Sequence, residues 1–183
     1  MEQATLASVL MDEKDMQRAL KRISHQIVES QHGCEGLVLL GIYRRGVPLA
    51  QRIAEYIEQN EGVRVPVGKL DITRHRDDLD TLQHLAESIS RSEVPCDLTG
   101  AHVVLVDDVF YTGRTIRAAM DAVMELGRAA TIQLAVLIDR GHRELPIRAD
   151  FVGKNVPSAY NEKVKVRVME IDGKNCVELL RLQ

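Results

Sequence analysis

Residues 103–115, VVLVDDVFYTGRT, concentrate the residue types from which a sugar-phosphate site can be built. Four apolar residues run into Asp107 and Asp108, followed by Val109, Phe110, Tyr111 and then Thr112-Gly113-Arg114-Thr115. Two adjacent carboxylates are natural acceptors for the vicinal hydroxyls of a ribose. The hydroxylated, glycine-containing loop after them allows close backbone approach, and amides at the start of a following helix favour an anion such as a 5′-phosphate. A carboxylate that ends a strand and caps the next helix is a common structural use of Asp. That use explains one of the two carboxylates, and leaves the other and the loop without a reason.

A second loop, Tyr43-Arg44-Arg45-Gly46, follows the apolar run of residues 37–42. Gly41 and Gly46 have the spacing of P-loop glycines, but Val47 and Pro48 stand where Lys and Ser or Thr are required. No Rossmann glycine fingerprint occurs either. Two adjacent guanidiniums suit a strongly anionic group, although an arginine pair on a surface is unremarkable by itself.

The elements that must position these loops alternate in type. Residues 12–30 carry Met16, Ala19, Leu20, Ile23, Ile27 and Val28 at helical spacing, with Asp12 available as N-cap. Residues 37–42 have the length and continuous apolarity of a buried strand, and Pro48 opens a second helix near its first turn. Residues 63–73, 103–106 and 131–138 read as further strands, with a helix over 115–126 that Gly127 terminates. Strands alternating with helices predict an α/β fold with a mostly parallel central sheet flanked by helices. In such a sheet the binding crevice lies at the carboxyl ends of the strands, where Asp107 and Asp108 fall.

Residues 74–99 are polar and irregular apart from a weakly helical stretch at 82–89, and a long insertion between two strands suggests a mobile lid. After Asp139 the sequence is turn-rich to Pro157. It then gives an alternating strand at 163–169, a turn at Asp172-Gly173 and a short strand near 177–180, a hairpin able to form a small hood over about 157–183. The whole chain, 1–183, is expected to form one domain.

At 183 residues and 45% hydrophobic, the chain can bury a core without disulfides or metals. Cys34, Cys96 and Cys176 are odd in number and widely spaced, against a disulfide framework or zinc site. A net charge of -3 argues against indiscriminate coating of nucleic acid or anionic membrane. The acidic N-terminus and the lack of an apolar run of roughly 20 residues predict a soluble cytoplasmic protein with no membrane partner.

The 103–115 segment resembles the phosphoribosyl pyrophosphate (PRPP) motif of type I phosphoribosyltransferases. The Tyr43–Gly46 turn resembles the same family's pyrophosphate loop, which often holds a cis peptide. Residues 139–155, DRGHRELPIRADFVGKN, together with Tyr111, are similar to a signature of those bacterial uracil phosphoribosyltransferases that also regulate pyrimidine genes by binding RNA. The resemblance runs from the first helix to about Asn155 and more loosely beyond, and it matches the 74–99 insertion mainly at its start.

The resemblance implies uracil and PRPP as substrates and UMP and pyrophosphate as products, with Mg²⁺ held mainly through PRPP and water and no dedicated protein metal site. It assigns Asp107 and Asp108 to the ribose diol, residues Thr112, Gly113, Arg114 and Thr115 to the 5′-phosphate, and Arg44 and Arg45 to pyrophosphate, with Asp107, Asp108 and Arg45 as catalytic groups. Val109, Phe110 and Tyr111 complete the motif, Arg140 lies near the base, Arg76 is a closing clamp in the lid, and Val164 reads the base through its backbone.

Lys21, Arg22 and His25 on the first helix, with Arg143, Arg148 and Lys154, would form a basic patch. On the residues alone a solvated, ion-paired surface ranks above RNA binding, and the resemblance reverses that order. It adds UMP or UTP as effectors, the leader mRNA of a pyrimidine operon as partner, control of transcription termination by attenuation, and a homodimer or higher oligomer. A transferase without RNA regulation, acting on uracil or a purine, and an RNA regulator with vestigial catalysis are the alternatives.

Overall fold

The structure is a computed structural model that describes residues 4–73 and 92–182. In chain order the elements are β1 (Ala4–Met11), α1 (Glu13–Gln31), β2 (Leu37–Ile42), α2 (Gly46–Glu61), β3 (Val67–Leu70), β4 (His102–Phe110), α3 (Arg114–Leu126), β5 (Thr131–Asp139), β6 (Phe151–Asn155), β7 (Glu162–Arg167), α4 (Met169–Asp172) and β8 (Cys176–Leu182). Five strands form an all-parallel sheet in the order β3-β2-β4-β5-β6. A separate antiparallel sheet has the order β1-β8-β7.

The central strands are apolar on both faces because both faces are covered. All six residues of β2 are buried, as are Val103 to Val106 of β4. On one face Met16, Leu20, Ile23 and Ile27 of α1 and Leu49, Ile53 and Ile57 of α2 pack with Leu39, Val104 and Leu137. On the other, Ile116, Ala119 and Val123 of α3 pack with Leu40, Val103 and Leu105. Asp12 starts α1 with a capping box, its carboxylate accepting from the Asp15 amide at 2.8 Å. The helices expected over 12–30, from Pro48 onward and over 115–126 are present, and the alternation of strand and helix gives the predicted parallel sheet.

Four features differ from the sequence reading. Strand β3 is four residues long, since Val63 and Arg64 are exposed ahead of it and Asp71 turns the chain after it. Strand β6 lies within the stretch expected to be turns; it is a short edge strand with Phe151 its one buried side chain. The hood gains β1, which the local pattern did not reveal because its partner β8 comes from the far end of the chain. The turn at Asp172-Gly173 is preceded by one helical turn, α4, closed by Gly173 at φ 72°. The weak helix at 82–89 and Arg76 lie outside the described residues. Lys69 pairs with Glu93 across the base of that insertion.

Candidate active site

Strand β4 runs on past Val106 to Phe110 and delivers Asp107 and Asp108 to the carboxyl end of the sheet. Asp107 is 7% exposed and accepts the Asp108 amide at 2.9 Å; Asp108 accepts the Val109 amide at 2.9 Å. Burial pushes the Asp108 carboxyl above its ordinary value, against the opposing pull of its bonds to Asp107 and the Val109 amide and of the nearby Arg45 charge. A buried carboxylate that is costly to ionise in the free protein is suited to a site that receives hydroxyl donors and cations.

The loop after β4 passes through Gly113 at φ 96° and enters α3 at Arg114. Gly113 is the N-cap and brings no capping side chain to the 13-residue helix, whose first amide, that of Arg114, donates to the Thr112 hydroxyl at 3.4 Å. A Cβ at this position would lie 3.4 Å from Cβ of Leu145 in a backbone conformation that L side chains rarely adopt. The loop is held from outside by the Glu144 amide, which donates to the Thr112 carbonyl at 2.9 Å, and by the Arg114–Glu144 ion pair at 3.0 Å.

Opposite, the Tyr43–Arg44 peptide is cis, as the resemblance implied, and the Tyr43 amide donates to Leu70 at the end of β3. Gly46 then allows α2 to start against β4. A Cβ there would stand 2.2 Å from the Val106 carbonyl oxygen, so the arginine loop and the acidic pair are held together through backbone contact. Arg44 is exposed, whereas Arg45 makes a bidentate ion pair with Asp172, at 3.0 Å through Nε and 2.7 Å through Nη2.

A cavity of about 380 Å³ brings Arg44, Arg45, Asp107, Asp108, Val109 and Thr115 together with Tyr43, Ile42, Asp71, Ile72 and Thr73. The sequence reading missed Asp71 and Thr73, which end β3 as Asp107 and Asp108 end β4. Asp71 accepts from the Thr73 amide at 3.0 Å and hydroxyl at 2.6 Å. A strand expected to run on through Thr73 hid this turn.

Other expected residues stand apart from that cavity. Phe110 is 1% exposed and belongs to the core against α3, so it offers backbone alone. Arg140 is buried beneath Tyr111, its guanidinium carbon 4.1 Å from the ring centroid, and donates to Ser158 Oγ at 2.9 Å and to the Glu162 carbonyl at 2.7 Å. It thus ties Tyr111, on the loop between β4 and α3, to the hood. Val164 has a buried side chain, and β7 is an edge strand. The Glu162 carbonyl points outward to Arg140, and the two-residue period of a strand turns the Val164 amide and carbonyl to the same open edge.

The basic residues divide. Arg22 donates to the Val152 and Gly153 carbonyls, and Lys154 to the Leu10 carbonyl at 2.8 Å; both line a surface cavity with Arg18 and Met11. Lys21 and His25 are exposed on the same helix, His25 lying 3.4 Å from the Asn60 amide nitrogen. Arg143 instead pairs with Asp139 at 2.9 Å beside the Phe110 ring, and Arg148 is exposed.

Residues 8–170 match the phosphoribosyl transferase domain family. Bifunctional protein PyrR of Thermus aquaticus is 60% identical over 170 residues, covering 93% of each chain. The chain belongs to the PyrR family of phosphoribosyltransferases. PyrR of Pelotomaculum thermopropionicum is also 60% identical, over 172 residues, covering 93% of this chain and 94% of its own. A hypoxanthine phosphoribosyltransferase from Staphylococcus aureus superposes with a TM-score of 0.72 at 18% identity, covering 97% of this chain and 92% of that one, which establishes the type I phosphoribosyltransferase fold. Among the described residues, no helix of this PyrR family member is long and apolar enough to cross a membrane. Cys34, Cys96 and Cys176 are free thiols.

Proposed function

We propose that the protein transfers the phosphoribosyl group of PRPP to uracil, releasing pyrophosphate, and that the nucleotide it binds governs its attachment to a pyrimidine leader RNA. The observation that carries the first part is the convergence of the acidic pair, Thr115 in the first turn of α3 and the arginine loop on one cavity.

In this reading the 5′-phosphate sits on the amides of residues 112–115, the ribose diol on Asp107 and Asp108, and the pyrophosphate against Arg44 and Arg45. Pyrophosphate leaves C1 as uracil N1 attacks and releases its proton, and the oxocarbenium character that develops is stabilised by the carboxylates below it. Arginine N–H donors take up the charge that builds on the leaving group. Uracil presents an N–H between carbonyls, which the open backbone edge of β7 at Val164 complements. Arg140 supports that edge from behind.

Among the described residues, no cluster of three or more His, Cys, Asp or Glu side chains is arranged to hold a metal. Asp107 and Asp108 nevertheless supply oxygen acceptors of the kind Mg²⁺ prefers, with the rest of its shell from PRPP and water. When bound, Mg²⁺ would offset the charge of the pyrophosphate.

The RNA part is supported by the exposed α1 face at Lys21, Arg22 and His25 lying beside Lys154. Arg143 and Arg148, on the segment hydrogen-bonded to Thr112, add positive charge beside the loop between β4 and α3. Assembly as a homodimer or larger oligomer would repeat the face across a symmetry axis. Attenuation of transcription in the cytoplasm is the mode of control that this arrangement serves.

Pyrophosphate release from PRPP with Mg²⁺ tests the enzyme: turnover is expected with uracil and absent with hypoxanthine, and the reverse preference would refute the substrate assignment. For regulation, UMP or UTP should tighten binding of leader RNA, and linkage requires RNA to tighten nucleotide binding by the same factor. A nucleotide affinity indifferent to saturating RNA would refute that half.

A further inference from the structure

The Asp172 carboxylate belongs to the hood, yet its principal partner is Arg45 of the cavity, 127 residues away in the chain. Its mounting is rigid. Asp172 accepts the Val168 amide at 3.0 Å and lies 3.5 Å from Arg167 Nη1, while Arg167 is itself held at 3.2 Å by Glu178. Its side chain is 7% exposed, and that of Arg45 is 27% exposed. The Arg45 guanidinium thus has one edge fixed and the other directed away from Asp172.

A guanidinium carries five N–H donors, and the fork to Asp172 engages Nε and one hydrogen of Nη2, leaving three. Arg44, the neighbouring cation on the same loop, has no hydrogen bond or ion pair among the described residues. The two arginines therefore present different things to an anion: Arg44 an exposed charge, Arg45 a fixed set of donors. A long side chain that is already ordered loses less freedom when it engages a ligand.

We propose that Asp172 is a positioning residue for phosphoribosyl transfer, holding Arg45 so that its remaining donors meet the leaving pyrophosphate. The proposal rests on the phosphoribosyl-transfer reading and adds to it a residue that touches neither PRPP nor uracil. It also gives the hood a task beyond base recognition, because its last turn sets the geometry on the opposite side of the cavity.

The test is steady-state kinetics with Mg²⁺, PRPP and uracil on wild type, Asp172→Asn, Arg45→Ala and the double variant, with thermal melts of each. Asp172→Asn should lower kcat by about 10–100-fold, the scale of a misplaced group, with the KM for uracil within about twofold. In the Arg45→Ala background the same change should have no further effect on kcat. Asp172→Glu, which keeps the charge one methylene further out, should recover part of the loss and stands in for Asp172→Asn if that variant does not melt cooperatively. A kcat for either Asp172 variant equal to or above wild type overturns the proposal, as does an equal loss in the Arg45→Ala background. Failure of the underlying reading shows separately, as a wild type that releases no pyrophosphate from PRPP.

Discussion

The carboxyl end of the parallel sheet and the hood facing it are assembled from different kinds of sequence. Asp107, Asp108 and the loop through Gly113 are contiguous, set by one strand, one glycine and one helix start. The hood joins β1 and β8, from the two ends of the described chain, and fixes its last turn with ion pairs among Arg45, Asp172, Arg167, Glu178 and Lys174. The first region is rigid because the sheet behind it is buried on both faces. The second depends on charges at a partly open boundary, so its stability must respond to pH and to single substitutions in a different way.

The largest effect is expected where ligand charge is read directly. Asp107→Asn with Asp108→Asn should lower kcat/KM for PRPP by about 10²–10³-fold, the loss typical of a removed electrostatic group, measured as pyrophosphate release. The folded state should not suffer, and this is where the two regions part. Because burial raises the Asp108 pKa, the folded protein holds that proton more tightly than the unfolded chain. Its ionisation therefore costs stability as pH rises through the folded value. Asp108→Asn removes that cost, and the ligand-free melting temperature at neutral pH should lie above that of wild type.

Gly46→Ala should break the junction between the arginine loop and β4. Its Cβ meets the Val106 carbonyl oxygen, which is backbone and cannot rotate away. A cost of about 1–3 kcal/mol is expected, read as a lower denaturant midpoint with reduced turnover.

Asp172→Asn sharpens the contrast through pH. Arg45 is the main cause that holds the Asp172 carboxyl well below the usual carboxylate range, so its contribution is complete above about pH 4 and is lost as pH falls further. Wild type and variant should differ by about 1–2 kcal/mol at pH 7, and their melting temperatures should converge below about pH 4. A difference that grows on acidification would mean that the ion pair is not what stabilises the hood.

The smallest effect per residue is expected at the basic face. Arg22→Ala or Lys154→Ala should leave uracil turnover unchanged and reduce the salt dependence of RNA binding by about 0.7–0.9 in log–log slope for each phosphate no longer neutralised. Arg22 and Lys154 also donate to backbone carbonyls, so each variant should be melted in parallel.

This division also explains what could be read before the structure. The central strands were legible because burial on both faces leaves continuous apolar runs, and the acidic pair because its spacing to Gly113 is local. Strand β1 was not, since Leu6 and Val9 are 59% and 58% exposed and no short-range pattern points to β8. Strand β6 lacked an alternating face. Asp172 looked like a turn residue, and nothing near it in sequence announces Arg45. The resemblance put Arg140 near the base, but its buried place beneath Tyr111 and against the hood backbone depends on packing that the chain order does not display.

A crystal structure with UMP bound is the most direct test of how the cavity is used. The phosphate is expected on the amides of residues 112–115, the ribose hydroxyls on Asp107 and Asp108, and the uracil edge against the backbone of Val164. Nucleotide bound elsewhere, or with its phosphate at the Arg44-Arg45 loop and its ribose away from the acidic pair, would contradict that assignment.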